Sequence, residues 1–177
     1  MNLDELAIIS ECYADTCLIE TIISAQHCNH QKSCNKVSST MQIKFKDRFA
    51  VGIIDKDKRR ISYLNEFDLI GSKASLFFYK HTMHPHYIIQ LSPAVEGFIL
   101  QSAGEKNIKL SDYGLPETLG ELTRITKQKS SKKDPNLKKL ITDLKDATGI
   151  KLLTNLLEYL VPHRYNCDIS ILRSIMS

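Results

Sequence analysis

No stretch of this 177-residue sequence approaches the ~20 consecutive apolar residues that a membrane-spanning helix requires. The first residues, Met1 to Glu5, are acidic rather than basic, so they do not resemble a secretory signal peptide. The five cysteines include no CxxC pair, and without an export signal we expect them to be reduced thiols. These absences favour a cytoplasmic protein that does not bind membranes.

Several familiar site motifs are also missing. The sequence contains neither a G-x-S-x-G nucleophile elbow nor a GxxxxGK phosphate loop, which disfavours a serine hydrolase and a P-loop enzyme. Two groups of possible zinc ligands occur, at 27–34 and at 81–86, but neither has the spacing of a structural zinc finger. We therefore do not expect structural zinc.

The apolar pattern predicts strands that alternate with helices. Short apolar runs, each bounded by polar residues, predict strands at 6–10, 48–55, 75–79 and 87–91. Helical spacing predicts helices at 35–46, 67–70, 93–103, 116–126, 137–147, 151–161 and 168–176, as well as one after the first strand. Asp15 or Thr16 is expected to cap that first helix, and Ser92 the helix that begins at Pro93.

This alternation favours an α/β fold. The run before Asp55 is apolar on both faces, as in the centre of a parallel sheet. We expect a mostly parallel sheet flanked by helices over residues 1–105, followed by a helical extension over 106–177 that packs on or beside it. The leucine stripes of that extension either complete the core or form a docking surface.

Acidic residues follow several of the predicted strands. Glu11 and Asp15 follow the first strand, and Asp55 and Asp57 follow the central one. Glu96 lies one turn into the helix after the last strand. Functional sites of parallel sheets lie outside the carboxyl ends of the strands. Clustered carboxylates repel one another unless a cation joins them, and Mg²⁺ prefers their oxygens.

A basic segment could hold a polyanion beside such a site. The net charge is only +4, but residues 124–139 carry seven basic residues and a single acid, Asp134. Such a segment suits the phosphate backbone of a nucleic acid, and it also suits a plain solvated loop. The candidate nucleic-acid-binding residues are Lys127, Lys129, Lys132 and Lys133.

The order of these motifs resembles the Toprim family, the metal-binding fold of topoisomerases, primases and OLD-type nucleases. That family has a glutamate after its first strand and a DxD motif after a later apolar strand. Here Glu11 follows LAIIS, and Asp55-Lys56-Asp57 follows AVGII. The resemblance covers residues 5–103 approximately and extends to Glu96 in Ser92-Pro93-Ala94-Val95-Glu96.

The resemblance implies a role for each matching residue. Asp55 and Asp57 would hold Mg²⁺ or Mn²⁺, Glu11 would act as a further ligand or a general acid/base, and Asp15 would be an auxiliary ligand. Glu96 is a possible accessory residue of the same kind. His30, in a loop that approaches the site, could contact phosphate or donate a proton.

The sequence departs from the family in ways that narrow the expected function. Cys12-Tyr13 follows Glu11 where the family often has glycine, and there is no zinc ribbon of a primase and no domain for a topoisomerase tyrosine. A small metal-dependent nuclease is the first hypothesis, and phage defence is a setting known for such proteins. The alternatives are a non-catalytic subunit of a larger ATPase or toxin complex, and a plain nucleotide or phosphate binder.

Overall fold

The computed structural model describes residues 7–24, 28–56 and 61–177. In these residues six strands form one sheet in the order β2-β1-β3-β6-β5-β4. The strands are β1 (Ile8–Ser10), β2 (Asn29–His30), β3 (Ala50–Asp55), β4 (Phe67–Lys73), β5 (Leu76–His81) and β6 (His86–Leu91). The sheet is mixed, because β2, β1, β3 and β6 pair in parallel while β5 pairs antiparallel with both β6 and β4.

Seven α-helices accompany the sheet in the described chain. They are α1 (Tyr13–Ile22), α2 (Cys34–Thr40), α3 (Val95–Glu105), α4 (Leu119–Thr126), α5 (Pro135–Asp143), α6 (Thr148–His163) and α7 (Ile169–Met176). A single π-helical turn, Met41–Phe45, continues α2. The predicted α/β fold is confirmed, and no helix in the described ranges has both the length and the apolar character needed to cross a membrane.

The strand order reverses at β1. The chain leaves β1 through α1 to reach β2 on one side, and it returns through α2 to β3 on the other side. Right-handed crossovers in opposite directions place α1 and α2 on opposite faces of the sheet. A crevice forms outside the carboxyl ends of β1 and β3, which is where α/β sheets bind ligands.

The centre of the sheet is covered on both faces. Every residue of β3 from Ala50 to Ile54 is buried, as its unbroken apolar run predicts. Gly52 allows α2 to approach this strand closely, because a Cβ there would lie 2.9 Å from Met41 Sδ and 3.0 Å from Val37 Cγ1. The absence of a side chain at this position therefore sets the distance between helix and sheet.

The C-terminal helices pack against the rest of the fold. Helix α5 contacts α1, α4 and α6 contact α3, and α7 contacts β4. The leucines of the two predicted stripes are all buried and join the apolar core of the strands. These leucines complete the core and are not available as a docking surface. The division of the chain at residues 105 and 106 stays a prediction.

Two details of the predicted elements are wrong. Residues 67–70 belong to strand β4, which pairs with β5, and not to a helix. A register shift between Leu69 and Gly71 disturbs the alternation of the strand, so its sequence does not show the period of two. Helix α3 begins at Val95, after the extended Ala94, and neither Ser92 nor Pro93 belongs to it. The basic segment contains a 3₁₀ helix over Lys129–Lys133.

Candidate functional site

A cleft of about 570 Å³ opens at the carboxyl ends of β1, β2 and β3. The predicted residues that line it are Glu11, His30, Asp55, Glu96 and Lys127. Parts of α3 and α4 form its other wall. We call it the strand-end cleft. It brings together residues that are as far apart in the sequence as Glu11 and Lys127.

Glu11 and Asp55 are joined directly. The backbone N–H of Glu11 donates to Ile53 O over 3.1 Å, which fixes Glu11 beside the end of β3. The backbone N–H of Asp55 donates to Glu11 Oε2, also over 3.1 Å. Glu11 and Asp55 thus lie together at the carboxyl ends of the parallel strands β1 and β3, which is where functional sites of parallel sheets are expected.

Asp55 also faces the first turn of α3. Its Oδ1 accepts a 3.0 Å hydrogen bond from the backbone N–H of Val95, the first residue of that helix. The positive end of a helix dipole stabilises a carboxylate in this position. The sequence suggested only that Asp55 would follow β3, and the contact with α3 gives it a fixed orientation at the cleft.

The first turn of α1 differs from the predicted one. Cys12, with an extended backbone, is the N-cap, and its thiol accepts from the N–H of Asp15 over 3.3 Å. Asp15 in turn accepts from the N–H of Cys12 at Oδ2 over 3.0 Å, so the two form a capping box. The predictions of Asp15 or Thr16 as the N-cap are wrong, because the helical conformation already begins at Tyr13.

Asp15 is fully buried next to the acidic pair. Burial, together with the negative charges of Asp55 and Glu11, holds the pKa of Asp15 well above its ordinary value. Its Oδ1 is buried and has no hydrogen-bond partner in the described residues. A raised pKa favours the protonated, neutral form of Asp15, and Asp15 is not among the residues that line the cleft.

Glu96 links two helices beside the cleft. It is buried, and its Oε1 accepts a short hydrogen bond from the Thr126 hydroxyl at the end of α4. This bond ties α4 to the start of α3 and closes one side of the cleft. Thr126 was not predicted as a site residue, and its sequence context carries no signal that would have indicated this contact.

His30 is the second residue of β2 and pairs in register with Ser10, directly before Glu11. Its ring stacks on that of Tyr13, with centroids 4.2 Å apart and planes inclined by 12°. Its Nδ1 lies 3.1 Å from Thr16 Oγ1, and its Nε2 is buried without a hydrogen-bond partner in the described chain. Strand β2 thus fixes a residue that the sequence could only assign to a loop.

The basic residues separate into different environments. Lys127 lines the strand-end cleft, whereas Lys129 and Lys133 are exposed and do not line it. Lys132 forms an ion pair with the buried Glu20 over 3.2 Å. Lys32, which the sequence analysis did not select, lines the cleft beside His30. Nothing in the sequence indicated this position, because strand β2 was not predicted.

The donor set fits a magnesium or manganese ion better than zinc. Within residues 7–24, 28–56 and 61–177 no three His, Cys, Asp or Glu side chains form a group that could hold a metal ion. Mg²⁺ does not need such a cage, because it is commonly held by one or two carboxylates together with waters and substrate phosphates. Glu11 and Asp55 are the two carboxylates that would hold such an ion at the cleft. Asp57 lies outside the described residues.

Comparisons with known protein families, with curated proteins and with solved structures found no match.

Proposed function

We propose that this protein is a Toprim-like, metal-dependent phosphodiesterase that cleaves nucleic acid at the strand-end cleft. The observation that carries the proposal is the meeting of Glu11 and Asp55 at the ends of two parallel strands, in a cleft that Lys127 also lines. Carboxylates paired with nearby lysines suit a metal ion and a phosphate group bound side by side.

Glu11 and Asp55 would hold Mg²⁺ or Mn²⁺, with Asp57 as a further ligand by the resemblance to the Toprim family. The bound ion would neutralise charge on the phosphodiester and favour attack by water. By the same resemblance Asp15 would be an auxiliary ligand, although it is fully buried and does not line the cleft. A cation held by Glu11 and Asp55 would relieve the repulsion between their charges.

The substrate phosphates would be held on the basic side of the cleft. Lys127, from the end of α4, and Lys32, after β2, both line the cleft and are exposed to solvent. Lysine ammonium groups attract phosphate through charge without reading the base sequence. This arrangement favours binding to the nucleic-acid backbone and predicts little sequence specificity.

The test is cleavage of labelled single- and double-stranded DNA and RNA in Mg²⁺, Mn²⁺ or EDTA. The informative variants are Glu11→Gln and Asp55→Asn, which remove a charge and keep the oxygen that accepts the backbone hydrogen bond. Matched controls are Glu158→Gln and Asp68→Asn, because both residues are exposed and neither lines the cleft. We expect metal-dependent cleavage that the two cleft variants lose and the two controls keep.

Two other outcomes would redirect the proposal. Metal binding without cleavage of any substrate would favour a non-catalytic Toprim-like subunit that works with a larger ATPase or toxin. Cleavage that survives both Glu11→Gln and Asp55→Asn would refute the strand-end cleft as the active site.

A further inference from the structure

The strand-end cleft has an apolar lining that the metal chemistry does not use. Tyr13, Pro93 and Leu119 line it together with the carboxylates and the lysines. Pro93 is exposed, and Leu119 keeps 48% of its surface accessible to solvent. Apolar side chains that gather in a cleft and are surrounded by polar residues mark a place where a ligand binds.

Tyr13 supplies an aromatic surface on one wall. It is the first residue of α1, so the start of the helix fixes its backbone. Its ring lies almost parallel to the imidazole of His30, which strand β2 and the contact with Thr16 hold in place. The imidazole covers one face of the tyrosine ring. The rest of this partly exposed side chain is the surface that lines the cleft.

The other wall supplies an aliphatic surface. Leu119 is the first residue of α4, and Pro93 lies two residues before the start of α3. Proteins bind unpaired nucleobases by stacking them on aromatic rings and packing them between apolar side chains. A cleft of about 570 Å³ is within the size range of small-ligand sites, so one nucleotide can enter it.

Each wall also carries a lysine. Lys32 follows β2 on the wall of Tyr13, and Lys127 ends α4 on the wall of Leu119. Both lysines are exposed. A planar base in the apolar part of the cleft would therefore have cationic groups on both sides for the phosphates that flank it. A nucleobase joined to phosphates is the ligand that matches this combination of surfaces.

We propose that the strand-end cleft binds one unpaired nucleobase between Tyr13 and Leu119, and that the substrate is consequently single-stranded nucleic acid. This inference rests on the proposed phosphodiesterase function and specifies its substrate. A base within a duplex is paired and stacked on both faces, so it would have to be flipped out at a cost in free energy. Stacking accepts every base, which agrees with the low sequence specificity expected of lysine contacts.

The test compares two oligomers of equal length and equal phosphate number. One is an ordinary single strand, and the other is abasic at every position. Fluorescence anisotropy in EDTA measures the binding of each without cleavage. Stacking of one base corresponds to a difference in affinity of about 5- to 150-fold, so wild type should bind the ordinary strand more tightly by a factor in this range.

Substitutions of Tyr13 locate the base. Tyr13→Leu removes the aromatic ring and should weaken binding of the ordinary strand by about fivefold or more, with no change for the abasic oligomer. Tyr13→Phe keeps the ring and should bind both oligomers as wild type does. A general disturbance of the cleft would instead weaken both oligomers in Tyr13→Leu.

Leu119 is tested with a matched control. Leu119→Ser should weaken binding of the ordinary strand and leave the abasic oligomer unaffected. Leu69→Ser is the control, because Leu69 is 53% exposed, lies in β4 and does not line the cleft. It should bind both oligomers as wild type does. Thermal unfolding of each variant checks that it is folded.

Cleavage provides a second measurement. In Mg²⁺ or Mn²⁺, kcat/KM for a single strand should exceed that for a duplex of the same sequence by about tenfold or more, because the duplex must first release a base. Tyr13→Leu should reduce this preference. Equal cleavage of single strand and duplex by wild type would overturn the inference.

The outcomes separate this inference from the proposed function. If wild type binds the ordinary and abasic strands equally but cleaves nucleic acid, the base site is refuted and the phosphodiesterase stands. If wild type prefers the ordinary strand through Tyr13 but cleaves nothing in any metal, the base site stands and the phosphodiesterase fails. A mononucleotide that displaces the ordinary strand at equal concentration would indicate a nucleotide-binding protein and overturn the assignment of a single-stranded substrate.

Discussion

Lys132 Nζ lies 3.2 Å from Oε1 of Glu20, a side chain that is almost completely buried. The same oxygen accepts a 3.0 Å hydrogen bond from the backbone N–H of Cys28. Lys132 thereby connects the basic segment to α1 and to the chain that leads into β2. Its first role is structural, although it was predicted from the sequence as a nucleic-acid contact.

The first prediction follows from this ion pair. Lys132→Met leaves the Glu20 carboxylate buried without its cation, so the free energy of unfolding should fall by about 1–3 kcal/mol. Urea denaturation measures the change. Lys133→Met is the matched control, because this neighbour is exposed and its loss should alter stability by less than about 0.5 kcal/mol. Equal stability of the two variants would contradict a structural role for Lys132.

The second prediction concerns the close contact between α2 and the central strand. Gly52→Ala places a Cβ within 3.0 Å of both Met41 and Val37, so the variant should lose about 1–3 kcal/mol of stability. Gly104→Ala is the contrasting variant, because no atom lies within 4 Å of its added Cβ and it lies in α3. Alanine there should increase stability by about 0.5–1 kcal/mol. Thermal unfolding compares the two, and changes of the same sign would contradict the predicted packing.

The third prediction is acid sensitivity centred on His86. This buried residue donates from Nε2 to Arg48 O over 3.1 Å and accepts at Nδ1 from the Tyr63 hydroxyl over 2.6 Å. Burial, with the nearby His81 and His84, lowers its pKa to about 4. The unfolded chain therefore binds a proton at a higher pH than the folded chain does. The neutral form of His86 stabilises the fold. This contribution to the free energy of unfolding is complete above the unfolded pKa of about 6.5 and is lost as the pH falls toward 4.

The loss from this one residue should amount to about 3 kcal/mol between pH 7 and pH 4. His86→Gln retains a donor and an acceptor but does not titrate. The free energy of unfolding, measured across this range, should fall less steeply in His86→Gln than in wild type, whatever the stability of the variant at pH 7. Parallel curves would show that His86 does not titrate as described.

The fourth prediction separates the lysines of the basic segment. Lys127 lines the strand-end cleft and Lys129 does not, so Lys127→Gln should weaken binding of a single-stranded oligonucleotide more than Lys129→Gln does. Removal of a lysine that contacts a phosphate should also reduce the number of counterions released on binding by about one, which lowers the salt dependence of the binding constant. Fluorescence anisotropy in EDTA, over a range of salt concentrations, measures both quantities. Equal weakening by the two substitutions would favour a diffuse basic surface over a phosphate contact in the cleft.

The sequence was most informative where a strand is long and fully apolar. The run before Asp55 predicts both a central strand and a carboxylate at its end, and Glu11 follows from the same argument. Strand β2 was not predicted, because two residues are too few to produce a periodic pattern, and His30 was assigned to a loop for this reason. Strand β4 was predicted as a helix, because its register shift hides the alternation of an edge strand.

The contacts that complete the cleft could not have been predicted from local patterns. The hydrogen bond between Thr126 and Glu96 joins residues 30 positions apart, and nothing near either residue indicates it. Lys32 enters the cleft only because β2 pairs with β1, and Lys132 points to Glu20 only because its segment packs on α1. Tertiary packing, rather than residue type, decides which lysines face the cleft.

The most direct test of the central claim is calorimetric titration of Mn²⁺ and Mg²⁺ into wild type, Glu11→Gln, Asp55→Asn and the exposed control Asp68→Asn. We expect a single metal site in wild type and in Asp68→Asn, with binding strongly weakened in both cleft variants, because each removes a carboxylate ligand. Asp55→Asn that binds metal as tightly as wild type, while remaining folded, would contradict the account of the strand-end cleft as a metal site.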